Sequence, residues 1–359
     1  MHSTVNNFRN QSVAKSNLLY KSVFETYRKG KRLVAPLVGF PGVKLVRSSI
    51  KLAQQNSYEQ FKVVKANYEQ FLPDAIFPLM DLSVEVNALG KEFIFPENDS
   101  ASIIKSKFGA GDLQNLKNVN IEYDSRLLSY VETVRLMTKK LPGEVIKGAY
   151  VTGPYTIAGL LLGADQAAMS TIINQELLHK ICDLAKNVIV KYINLLSEAG
   201  AQIICILEPS AVMLSPDQFE IFSANYVKDI ISKAKINGEY IYHVCGNTNH
   251  LISKIISSGV AALSLDSKEV GVDLCEIAKS VSEEIILIGN INPVGKILNG
   301  NAKQVEEEVS SLLEQMKDIP NFILSTGCDL PLDTPIENVE TFMDVGKKFR
   351  NSNSTLFIS

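Results

Sequence analysis

QIICILEPS (202–210) runs five apolar residues together, Ile203 to Leu207, and stops at Glu-Pro-Ser. A strand with one wet face would alternate; this one is apolar on both faces, as strands of a parallel sheet covered on both sides are. Upstream, the same pattern occurs in LVAPLVGFP (33–41), AIFPLMD (75–81) and VIKGAYVTGP (145–154). Downstream it returns in YIYHVCGN (240–247), AALSLDS (261–267), IILIGNINP (285–293) and FILSTGCD (322–329). Each run ends in a polar, Gly or Pro cluster, and longer helical segments lie between them.

The helical segments carry their own punctuation. Ser215-Pro216 reads as an N-cap followed by proline at the first helical position, and Phe219, Phe222, Tyr226 and Ile230 form the stripe behind it. Gly238 follows that helix, and Thr334-Pro335 opens another. Near the start, Ser16 to Lys29 places Leu19, Val23, Phe24 and Tyr27 on one helical face, after a polar stretch that reads as frayed.

Eight apolar runs alternating with helices predict an α/β fold, a (β/α)8 TIM barrel. Residues 1–30 form an N-terminal extension and helix, and residues 31–350 a single barrel domain. Residues 82–144 make a long connection between the second and third runs, with an insertion around FIFPENDSASIIKSKFG (93–109). An open doubly wound sheet is the alternative; against it, no G-x-G-x-x-G follows any run. Nor do the glycines of VGFPGVK have P-loop spacing.

The 359 residues are 46% hydrophobic and 21% charged, with a formal charge of -3, an ordinary composition for a large globular core. No run of Lys and Arg offers a nucleic-acid footprint, and no apolar stretch approaches the roughly 18 residues that span a bilayer. Five cysteines scattered through the chain are not the framework of a small secreted scaffold. A reduced, cytoplasmic protein is the expectation, with thiols that are free, buried or metal-bound.

In such a barrel the chemistry gathers at the C-terminal ends of the strands. Asp81, Glu208, Asp266 and Cys328 close four of the runs, and Asn290 and Asn292 follow a fifth. His243 and Cys245 sit two apart at a strand end, so they point the same way. An isolated His-x-Cys on a strand is often packing, since free cysteine is commonly buried. A third cysteine at another strand end, Cys328, favours ligation. Two thiolates and one imidazole suit zinc, and three protein ligands leave a position for water or substrate. Asp266 is a weak fourth ligand in this reading. Glu208 and Asp81 support the ligands or touch substrate, while Cys182, Cys205 and Cys275 belong to the core.

These residues resemble the uroporphyrinogen decarboxylase superfamily, and within it the corrinoid-dependent methyltransferases of the methylcobamide:coenzyme M type. The likeness rests on GFPGVKL (39–45), FPLMDLSVEVNALG (77–90), TGPYTIAGLLLG (152–163) and LEPSAVMLSPDQF (207–219). It continues through HVCGNT (243–248), LSLDS (263–267), GNINP (289–293) and STGCDLPLDTPIENV (325–339). The resemblance implies zinc on His243, Cys245 and Cys328, activating a thiol. It implies methyl transfer from a corrinoid, methylcobalamin carried by a partner protein, to a small acceptor such as coenzyme M, another thiol or tetrahydrofolate. Glu208 and Asp81 are then the catalytic candidates, and Gly153, Tyr155 and Asn290 the cofactor-binding ones. Arg47, Lys44 and Arg126 are candidates for a sulfonate. The other reading is a metal-free decarboxylase-like lyase. Against it, the chain has GFPGVKLVRSS where decarboxylases carry an Arg-rich substrate motif, and Cys328 where they carry a histidine.

Overall fold

The structure, a computed structural model, describes residues 18–104, 108 and 110–351. Its centre is one sheet of eight strands: β1 (Leu33–Val34), β2 (Ala75–Ile76), β5 (Ile146–Thr152), β6 (Ile203–Leu207), β7 (Glu239–Val244), β8 (Ala262–Leu265), β9 (Ile286–Ile291) and β10 (Phe322–Thr326). They lie in the order β1-β10-β9-β8-β7-β6-β5-β2, with every pair parallel. The two edges meet at Asp74, whose N–H donates to the Val34 carbonyl at 2.9 Å while its Oδ2 accepts from Val34 N–H at 2.6 Å. The sheet therefore rolls into the expected (β/α)8 barrel.

The first two apolar runs form only two-residue strands. Beyond Val34, Ala35 N–H still bonds to Leu324 O, but Pro36 has no N–H and Leu37 N–H turns to the Thr326 hydroxyl. The ladder stops where proline removes its donor. The expected insertion is a small antiparallel hairpin, β3 (Phe93–Ile94) and β4 (Ser102–Ile103), with Lys105–Lys107 and Gly109 outside the described residues.

Two apolar layers hold the barrel. Outward-facing strand residues such as Ile204, Ile206, Tyr242 and Leu263 pack under the helices. Inward-facing Ile203, Cys205, Ile241, Ala262 and Ile323 fill the interior. The N-terminal helix, Leu18–Arg28, adds Leu19 and Val23 to that interior layer. Glu239, the first residue of β7, accepts from Leu19 N–H at 2.5 Å and Tyr20 N–H at 3.4 Å, so the helix stoppers the N-terminal end. Its expected first residues, Ser16 and Asn17, lie outside the described residues.

The helix opened by Ser215 has the N-cap and first-position proline foreseen at its start, and Gln218 completes a capping box as the reciprocal partner. It then passes through a π-helical turn at Glu220–Ala224 before Asn225–Lys233. Among the described residues no single helix is long and apolar enough to cross a membrane.

Gly148 in β5 makes room for an interior ring: a Cβ there would lie 2.1 Å from Phe77, which stacks on Tyr150 at 4.7 Å. Gly148→Ala should cost roughly 1–3 kcal/mol in urea unfolding. Phe77→Leu in the same background should recover part of that loss, and no recovery would mean the ring is not the cause.

Candidate metal centre and adjoining cavity

β7 ends by pointing His243 inward, and the chain turns at Gly246, whose φ of +85° favours glycine. That turn carries Cys245 back over the mouth. β10 delivers Cys328 through Gly327, where a Cβ would stand 2.8 Å from Ser267 N. Only a residue without a side chain lets the two loops pass so closely.

The three donor atoms meet. Cys245 Sγ lies 3.3 Å from His243 Nε2 and 3.2 Å from Cys328 Sγ, and Cys328 Sγ lies 3.6 Å from the same nitrogen. Among the described residues this is the one such group with metal-ligand geometry. A tetrahedral zinc with two thiolates and an imidazole sets its sulfurs about 3.7 Å apart and each about 3.5 Å from the nitrogen. The cluster is within about 0.5 Å of that spacing, so its residues fit the ion.

Ser264 Oγ stands 3.0 Å from His243 Nδ1, leaving Nε2 to face the thiols. Burial lowers the His243 pKa, but contact with Cys328, then Asp266 and Asp329, outweighs it and raises the net value. The neighbouring Cys245 thiol, then burial, push Cys328 well above the ordinary thiol value.

The other expected site residues take different places. Asp266 stays out of the three-membered group: its Oδ2 accepts from Gly246 N–H at 2.7 Å and its Oδ1 from Ser267 N–H at 2.6 Å. Its carboxylate fixes the turn behind Cys245. Glu208 is fully buried and accepts from Thr156 N–H at 2.6 Å, capping the helix Pro154–Leu162. Burial, against the Thr156 hydrogen bonds, pushes its carboxyl up to about 8. Gly153 is required because a Cβ would lie 1.7 Å from Glu208 Oε2. Tyr155 is buried in the core under that helix. Asn290 lies within β9, and its Nδ2 donates to the carbonyls of Asp266 and Val272 at 2.9 and 2.8 Å. All three cofactor-binding candidates make these packing or loop-anchoring contacts within the chain.

Beside the cluster a cavity of about 460 Å³ opens between Cys328, Phe40, Met80, Leu160 and the β3–β4 hairpin. Asp81 lines it, but its carboxylate is fully engaged. It pairs with Arg126 and accepts from Tyr130 hydroxyl at 2.7 Å and from Ser83 hydroxyl and N–H at 2.6 and 2.9 Å. Arg126, a sulfonate candidate, is occupied by that pair and stacks 4.6 Å over the Phe95 ring. Lys44 pairs with Asp333 at 2.7 Å, and neither Lys44 nor Arg47 lines the cavity.

Three residues escaped the sequence reading. Ser264 had a signal, since it lies in β8 two residues before Asp266, which follows the strand. Asp329 and Gln54 also line the cavity. Burial, opposed by Gly39 N–H and the charge of His243, pushes the Asp329 carboxyl up to about 7. Glu85, below Asp81, accepts from Thr152 N–H at 2.7 Å and Thr152 hydroxyl at 2.9 Å, yet burial pushes it up to about 7 as well.

A carboxyl whose folded pKa exceeds its unfolded value holds its proton more tightly when folded. Its stabilisation is complete below the unfolded pKa and is lost as pH rises through the folded one. Metal-free protein should therefore lose stability between pH 5 and 8. Glu85→Gln should remove roughly 2 kcal/mol of the loss between pH 5.5 and pH 8. Urea unfolding at pH 5.5 and pH 8 reads it, and an unchanged slope in the variant would discard the assignment.

A family model described as uroporphyrinogen decarboxylase (URO-D) matches residues 46–349. A uroporphyrinogen decarboxylase of Prochlorococcus marinus (strain MIT 9312) is 27% identical over 310 residues, covering 84% of this chain and 87% of that protein. A methylcobamide:CoM methyltransferase of Methanosarcina barkeri is 26% identical over 298 residues, covering 81% of this chain and 84% of that one. A solved structure of a methyltransferase from Methanosarcina mazei shares the fold, with a TM-score of 0.80 at 24% identity over 92% of this chain and 98% of the other. By the extent of the family match, the chain belongs to the uroporphyrinogen decarboxylase family of enzymes.

Proposed function

We propose that this enzyme is a zinc-dependent methyltransferase that moves a methyl group from a methylated corrinoid, presented by a partner protein, to the sulfur of a small thiol. The observation that carries the reading is the trio His243, Cys245 and Cys328, with three donors and no fourth among the described residues. The Methanosarcina barkeri relative, whose name specifies methyl transfer from a methylcobamide to CoM, supports it. Free thiols suit a reducing cytoplasm, and residues 31–350 act as one catalytic domain.

Zinc, when bound, deprotonates a coordinated thiol and holds it as a nucleophile. The chain's own residues do the rest. Ser264 fixes the His243 ring so that Nε2 faces the metal position. Asp266 clamps Gly246 N–H, which keeps the Cys245 turn from opening. Two thiolate ligands bring the site near zero charge before substrate arrives, so an added substrate sulfur keeps its electron density. The cavity beside Cys328 receives the part of the acceptor that does not react.

A metal-free decarboxylase is the second reading, favoured by the name of the Prochlorococcus relative. It leaves the cysteine–histidine trio without a task. Metal content separates the two: about one zinc per chain is expected. Cys245→Ala and Cys328→Ala should lose the metal and the activity together while the barrel still unfolds cooperatively. Ser264→Ala should keep one metal site and weaken it about 10–100-fold. The reaction itself is read with methylcobalamin and a thiol, as loss of the methylcobalamin spectrum and appearance of cobalt(I). Turnover of a porphyrinogen acid by metal-free protein would favour the lyase.

A further inference from the structure

The cavity beside Cys328 also carries information about what enters it. Two of its lining residues present buried acceptors with no hydrogen-bond partner, Oδ2 of Asp329 and Oε1 of Gln54. Gln54 is only 1% exposed, so solvent does not satisfy its oxygen. A buried acceptor without a donor costs about 1–3 kcal/mol, and an arriving N–H group relieves that cost. Asp329 Oδ1 already takes Gly39 N–H at 3.1 Å, which holds the carboxyl with its second oxygen free.

The charge around the cavity points the same way. No lysine or arginine is among its described lining residues, whereas Asp81, Asp99 and Asp329 are. Asp81 is neutralised by Arg126, and among the described residues no ion pair engages Asp99, while Asp329 contributes an unpartnered oxygen. Of the other two cations weighed for a sulfonate, Lys44 pairs with Asp333 and Arg47 does not line the cavity. An anionic tail would enter a site that offers it acceptors and like charge. A cationic or N–H-bearing tail would find both orphan oxygens.

We propose that the cavity selects a thiol acceptor carrying a protonated amine, held by Asp329, Gln54 and Asp99, over one carrying a sulfonate. This rests on the reading that a substrate thiol binds at the cysteine–histidine cluster. The reacting sulfur sits at the cluster and the ammonium lies in the cavity beside Cys328.

Three thiols of equal length test this: 2-aminoethanethiol, 2-mercaptoethanol and 2-mercaptoethanesulfonate. Each is titrated into cobalt(II)-loaded protein while the thiolate-to-cobalt absorption band is followed, which needs no methyl donor. The cation should bind about tenfold or more tighter than the anion, with the alcohol between. Because the thiols differ in acidity, the decisive quantity is the change in that ratio on substitution. Asp99→Asn and Gln54→Leu should each narrow it severalfold with cobalt stoichiometry unchanged, and Asp329→Asn should narrow it further if metal is retained. Equal binding of all three thiols, tightest binding of the sulfonate, or a ratio unmoved by both Asp99→Asn and Gln54→Leu overturns the proposal while thiol binding at the metal stands. Absence of any thiol-induced band overturns both.

Discussion

Closing the sheet on itself is what gives three donor atoms a common centre. In a flat sheet β7 and β10, separated by β8 and β9, would lie about 14 Å apart. Rolled into a barrel, with side chains pointing inward at the strand tips, the same strands bring two sulfurs to 3.2 Å. Closure itself hangs on a narrow seam, where Asp74 joins β1 to β2 through one main-chain and one side-chain hydrogen bond. The helix Leu18–Arg28 blocks the N-terminal end, so the mouth with the cysteines is where a ligand can reach the interior.

The mouth is electrostatically tense. Contact with Cys245 and burial hold Cys328 toward its neutral thiol, and burial holds Asp329 and Glu208 toward their neutral acids. A divalent cation at the cluster reverses that logic for the thiols, because its charge favours the thiolate form that burial opposes. The turn at Gly246 and the close approach at Gly327 place the donors where such a cation would sit, and Ser264 and Asp266 keep them there.

Much of the fold was legible because parallel strands covered on both faces leave uninterrupted apolar runs. Each of the eight runs contains a barrel strand, although Pro36 cut the first to two residues. The spacing of His243 and Cys245 was legible for a similar reason, since alternation along a strand is local. What stayed hidden was the partner of each polar residue. Asp81 looks catalytic in sequence, yet Arg126, 45 residues later, occupies it. Glu208 reads as a strand-end acid, but the helix N-terminus it caps begins in another βα unit. Asn290 reads as a loop residue and lies inside β9. Pairings made by the folded chain across such distances have no periodic signature. Gln54 and Asp329 were missed because an unsatisfied oxygen can be recognised only when its surroundings are known.

The unequal strand lengths carry a last consequence. The cysteine–histidine trio is borne by β7, laddered over five and four register positions to β6 and β8, and by β10, laddered over five to β9 and two to β1. The cavity walls come from segments after β1 and β2, each two residues long, and from a hairpin outside the main sheet. One half of the mouth is thus stiff and the other lightly tethered. Substitutions in those segments can therefore reshape the cavity wall while leaving the strands that bear the trio untouched.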